Sequence, residues 1–210
     1  MHSPLSRALA RMTAAGLVAG LAITSGAGAW AHEGPKPGSS CAMSGMAMST
    51  HDGTFICTTN AKGKAVWSKP LAASASPLTL SDGWVKSAQS GMSAAFGTLS
   101  NPTTKPIRVV AAITPYSPTQ LHEVVDKGGE MVMQQVQGGL VIPAGGSLEL
   151  KPGGNHVMLM KLNHAIKAGS MVPVTFVTAD GGLLKTKVLA KVFTGANETY
   201  DASSSGMDMS

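Results

Sequence analysis

The chain has 210 residues and a formal charge of +5 at pH 7, with its lysines and arginines scattered along it. That length suits one ordinary domain with tails. A mild excess without a basic cluster excludes a nucleic-acid footprint and a polybasic membrane patch.

The chain opens on what reads as a secretory leader. Arg7 and Arg11 precede an apolar run at 14–23, and small residues lead to Ala29-Trp30-Ala31, an A-x-A cleavage pattern. The run is shorter than the roughly 20 residues a bilayer span needs. Residues 1–31 are therefore expected to be removed, leaving a periplasmic or otherwise exported protein with no membrane insertion. Loss of Arg7 and Arg11 takes the charge from +5 to +3.

Residues 32–77 are expected to be a flexible, Met-rich extension. Gly, Pro, Ser and Met dominate to about residue 52, and strands at 54–58 and 65–67 flank Asn60-Ala-Lys-Gly63 as a short hairpin. Residues 71–77 look like a linker. Cys41 and Cys57 suit a disulfide in an exported chain. A thiolate pair beside the methionines is the competing state.

From 78 to 193 short strands recur between turn signals. The expected strands are 84–87, 93–99, 107–114, 121–125, 131–136, 147–150, 156–162, 172–179 and 184–192. Asn101-Pro102, Lys127-Gly-Gly129, Ala144-Gly-Gly146 and Asp180-Gly-Gly182 punctuate them. Many short strands at this spacing predict an all-β antiparallel barrel or sandwich. Residues 194–210 form a polar, flexible tail ending in Met207 and Met209. No nucleophile triad, carboxylate pair or phosphate-binding glycine loop is present, so an enzyme is not expected.

Two pairs of soft or borderline metal donors lie within this domain. Strand residues two apart share a face, so His156-x-Met158 can address one point. Asp126-Lys-Gly-Gly129 suits a four-residue hairpin loop. With Val125 facing Glu130, His122 falls opposite Met133 on one face. A one-residue slip would turn one donor away. Two imidazoles and two thioethers favour Cu(I) among common biological ions.

The pattern His122, Met133, His156-x-Met158 resembles the periplasmic Cu(A) chaperone family, PCu(A)C. The surrounding words match as well: Leu121-His122-Glu123, Gly129-Glu-Met131-Val-Met133, Val141-Ile-Pro-Ala-Gly-Gly146 and Leu150-Lys-Pro-Gly-Gly-Asn-His156-Val-Met-Leu-Met160. The resemblance covers about 78–193. It implies a cupredoxin-like β-barrel and Cu(I) ligation by His122, Met133, His156 and Met158, with Met131 and Met160 as neighbours. It further implies delivery to a copper-accepting protein, such as subunit II of cytochrome c oxidase with its Cu(A) centre, or another copper chaperone.

Met43, Met46, Met48 and His51 form a second donor cluster in sequence with little to bury, and Met207 and Met209 echo it. These residues are candidates for auxiliary copper capture. His32, once N-terminal, could chelate Cu(II) through its amine and imidazole, although its Pro/Gly surroundings favour a solvated terminus. Three other functions compete with delivery: copper tolerance or storage, a His32-based mono-copper oxidase, and an adhesion-like β-domain without metal.

Overall fold

The computed structural model describes residues 34–195 and 199–200. The leader, His32, Met207 and Met209 lie outside them. Fifteen strands follow in chain order: β1 Ala47–Thr50, β2 Gly53–Thr59, β3 Ala65–Trp67, β4 Ser74–Ala75, β5 Thr79–Lys86, β6 Ser93–Ser100, β7 Ile107–Ile113, β8 Thr119–Asp126, β9 Met131–Gln135, β10 Leu140–Ile142, β11 Ser147–Leu150, β12 His156–Leu159, β13 Met171–Thr178, β14 Gly182–Lys191 and β15 Thr199–Tyr200. No helix occurs among the described residues, so none there is long and apolar enough to cross a membrane. The all-β expectation is met.

β1, β2 and β3 make a small sheet of their own. The remaining strands form one hydrogen-bonded order, β10-β7-β13-β14-β5-β6-β12-β8-β9-β15, with β11 beside β6 and β4 beside β14. That order has two ends, so the sheet does not close into the barrel that the resemblance implies. Nor is it purely antiparallel: β14 runs parallel to β5 and β4, and β15 parallel to β9.

Alternation of side chains explains how this sheet makes a core. On β12, Val157 and Leu159 point into the main hydrophobic cluster with Leu99, Val109, Ile142, Val172 and Phe176. Each such side chain contributes about 1.5–3 kcal/mol on leaving water. His156 and Met158, one step out of phase, point to the opposite face, yet they too are buried.

Glycines make two of the turns that set the register. Gly128 and Gly129 have φ of 73° and 94° in the β8–β9 loop, which the Lys127 N–H closes by donating to the Glu130 carbonyl at 2.9 Å. Gly139, at φ 91°, passes so near β7 that an added Cβ would sit 2.3 Å from the Val109 carbonyl oxygen. Only glycine suits such positions at no steric cost.

The segment expected to be a flexible extension is built into structure from residue 34 onward. Cys41 and Cys57 form a disulfide with their Cα atoms 6.0 Å apart. Closing a loop of that length stabilises by about 3 kcal/mol in the chain-entropy view. Phe55, Cys57 and Trp67 make a small cluster, while Ile56, on the other face of β2, packs with Ala111 and Val177 of the large sheet. The expected linker is tied down too. Leu71 and Thr54 exchange backbone hydrogen bonds at 2.9 and 2.8 Å, and β4 pairs with β14. The segment has too few apolar residues for a core of its own. It gains order from the disulfide and from apolar side chains shared with the large sheet.

Candidate metal centre

β8 and β12 are direct neighbours, and their register sets His156 opposite His122. Cross-strand partners share a face with Cβ atoms about 5 Å apart. The two imidazole centroids are 5.6 Å apart. The same register puts Met158 opposite Gln120, two residues from His122 on the same face of β8.

The β8–β9 hairpin differs in detail from its expected register. Asp126 pairs with Met131, so His122 faces Gln135 and Met133 faces Val124. The loop comprises residues 127–130, one step further on than expected, because the Lys127–Glu130 hydrogen bond closes it. This displaces the pairing by two residues and so preserves parity. Met133 stays on the His122 face, as a diagonal rather than a direct neighbour. Diagonal partners remain within reach of long side chains. Met133 and Met158 both belong to one buried cluster with Met43, Ala94, Phe96 and Met160.

Both histidines are buried, and their exposed surface is 0% for His122 and 2% for His156. Burial first, and then the repulsion that a proton on the neighbouring His156 would exert, lower the His122 pKa from 6.5 to about 3. The imidazole is therefore neutral near pH 7 and has no proton to lose before it binds a metal.

Hydrogen bonds also define which nitrogen of each ring carries the lone pair. The Gly154 carbonyl lies 2.9 Å from His156 Nδ1 and can only accept, so Nδ1 is protonated and the lone pair is on Nε2. His122 is held by a longer relay. The Ser44 carbonyl accepts from Gln135 Nε2 at 2.7 Å, Gln135 Oε1 accepts from Gln120 Nε2 at 3.2 Å, and Gln120 Oε1 lies 2.9 Å from His122 Nε2. A backbone carbonyl ends the chain, so each amide has one satisfactory orientation. His122 must donate from Nε2, which puts its lone pair on Nδ1. Such partners orient metal-binding histidines and tune their basicity.

A cavity of about 270 Å³ opens beside three of these donors, His156, Met158 and Met133, with Met92, Phe96 and Lys86 also in its wall; His122 does not line it. No carboxylate and no thiol is in its wall. Phe96 stands between His156 and Trp84, with ring centroids 6.1 and 4.5 Å away. Among the described residues, no group of three or more His, Cys, Asp or Glu side chains could hold a metal ion. The His156, Met133 and Met158 side chains in the cavity wall offer imidazole and thioether groups.

A sequence model of the LpqE-like family, described as "Putative lipoprotein LpqE-like", matches residues 78–190. A curated relative from Leifsonia xyli subsp. xyli, "Putative lipoprotein Lxx21020", is 45% identical over 122 residues, covering 58% of this chain and 74% of the relative. The chain belongs to the LpqE-like family. Among solved structures, this LpqE-like chain is similar to apo-DR1885 from Deinococcus radiodurans, at 33% identity and TM-score 0.44, covering 56% of this chain and 80% of that one. CuI-DR1885 gives 32% and 0.40, with coverage of 53% and 78%. The copper-bound PCuAC domain from PmoF2 gives 14% and 0.47, with coverage of 57% and 97%. PCuAC is the family that the donor pattern resembles. At these TM-scores the overlays are partial, and the donors' own geometry carries the metal reading.

The remaining donors of the LpqE-like chain divide. Met43 is buried in the thioether cluster and Met46 packs against it. Met48 is exposed, and His51 is exposed with its Nε2 3.0 Å from Asp52 Oδ1. Met131 is exposed, whereas Met160 is buried among the other thioethers. Nothing in the composition marks Gln120 or Gln135. The spacing Gln120-x-His122 is the one clue that the first shares the donor face. Gln135 requires the hairpin register.

Proposed function

We propose that this chain binds one Cu(I) through His122, Met133, His156 and Met158 and carries it, outside the cytoplasm, to a copper-accepting protein. The observation that carries this proposal is the opposed His122–His156 pair, oriented by its hydrogen bonds, with two thioethers buried in the same cluster. Four neutral donors add no charge that would favour Cu(II), and thioether sulfur favours the softer Cu(I). Copper here is cargo, so no catalytic residue is assigned. The recipient would be subunit II of cytochrome c oxidase, at its Cu(A) centre, or another copper chaperone, as the resemblance to PCu(A)C implies. The disulfide supports an oxidising compartment, in keeping with the leader at 1–31.

Storage is the second reading, and exposed thioethers favour it: Met48, Met92, Met131 and Met171 are all well exposed. Anaerobic Cu(I) titration of the full chain against a competing chelator separates the two. Delivery predicts one tight ion, and His122→Ala with His156→Ala abolishes it. Several ions of similar affinity would indicate storage. Unchanged tight binding in the double variant would overturn the site.

A further inference from the structure

Met43 lies outside the LpqE-like match at 78–190, yet its side chain is only 9% exposed and packs with Met133, Met158 and Met160. We infer that Met43 is a third thioether of the copper site, presented to it by the disulfide-held loop 41–46. This inference rests on the Cu(I) site proposed above.

Three observations fix where that loop sits. Its ends are held: Cys41 is bonded to Cys57, the Gly45 N–H donates to the Cys57 carbonyl at 2.8 Å, and the Cys57 N–H donates to the Met46 carbonyl at 2.7 Å. Its middle reaches the donor face, where the Ser44 carbonyl accepts from Gln135, the cross-strand partner of His122. Its backbone needs glycine, since Gly45 has φ of 87°, and an added Cβ there would lie 2.7 Å from the end of the Gln135 side chain. The residue before Ser44 is thus held next to the His122 relay, with its thioether turned into the cluster.

The chemistry gives such a residue a role. Cu(I) accepts four-coordinate geometry, and Met43 brings the neutral donors at this site to five. One thioether can then stand off while the other donors hold the ion. Substitution of one sulfur by another lets copper enter or leave without a bare intermediate, and no change of oxidation state is involved. The alternative role, apolar filling, is common for methionine and makes no use of sulfur. Leucine would serve that role equally, since Leu–Met exchanges are among the best-tolerated core changes.

The test compares full-length wild type with Met43→Leu. Apo unfolding reports the fold, and anaerobic Cu(I) competition reports affinity. With the apo fold retained, the variant should bind at least about tenfold more weakly, the lower bound for losing even a supporting partner at a metal site. Equal affinity would make Met43 a packing residue and overturn the inference. A second measurement needs no variant. Wild type loaded with ¹⁰⁹Ag(I), a Cu(I) surrogate, should show scalar coupling from silver to the Met43 methyl protons. Coupling to Met133 and Met158 without Met43 rejects the inference and leaves the four-donor site intact. Silver that couples to none of these methionines overturns that site and the inference with it.

Discussion

β12 is buried on both faces, and the two faces follow different rules. Val157 and Leu159 meet hydrocarbon on every side and need only volume and shape. His156 and Met158, equally inaccessible, sit among thioethers, aromatic rings and amides arranged by hydrogen bonds. The same division runs through β8, with Leu121 on one face and Gln120 and His122 on the other. Burial alone therefore does not mark the core of this protein. One face gains from the loss of water itself, while the other keeps water away from groups that must stay neutral and oriented.

Leu159→Ala breaks the comparison from the hydrocarbon side with the largest effect. It should cost about 2–5 kcal/mol in denaturant unfolding, the range for buried Leu truncations. Cu(I) affinity of the folded fraction should stay unchanged. A comparable loss of copper affinity would mean that the faces are not independent.

Acid probes the donor face of the metal-free protein. Above pH 6.5 His122 is neutral whether folded or unfolded, so its contribution is complete. Below 6.5 the unfolded chain takes up a proton that the folded chain refuses until about pH 3. The unfolded state then binds more protons, and stability falls as pH drops through that window. A His122→Gln chain should lose less stability between pH 6.5 and 3 than wild type. Parallel acid curves would contradict the buried, neutral imidazole.

Gln120→Leu sharpens the comparison by removing the relay and keeping the volume. Its expected effect is about tenfold weaker Cu(I) binding, or 1.4 kcal/mol. Nitrogen NMR of the metal-free chain supplies the decisive readout: protonation of His122 should shift from Nε2 alone towards a mixture of both tautomers. An unaltered tautomer would leave Gln120 a filler. The smallest change is expected at Met48→Leu, which should stay within about 0.5 kcal/mol of wild type and leave the tightest copper site untouched.

Much of the site is legible as period-two spacing. His156-x-Met158 and Gln120-x-His122 are confined to shared faces by strand geometry, whatever the rest of the chain does. The Lys127-Gly-Gly129 turn correctly predicts a hairpin bringing His122 and Met133 to one face. Its exact register is less legible, because shifting a four-residue loop by one step preserves parity and both versions satisfy the same alternation. Strands β4 and β10, of two and three residues, are too short to show alternation.

The sequence by itself determined an all-β chain, its glycine turns and the sharing of one face by His156 and Met158 and by His122 and Met133, because these follow from local sterics and side-chain periodicity. Tertiary structure alone decided that β8 lies beside β12, which brings His122 to His156. It also decided that the 43–46 loop packs on the donor face and carries Met43 and the Ser44 carbonyl there, while Ile56 packs with Ala111 and Val177. Such placement depends on disulfide pairing, backbone register and apolar contacts between residues far apart in the chain. No local pattern records it.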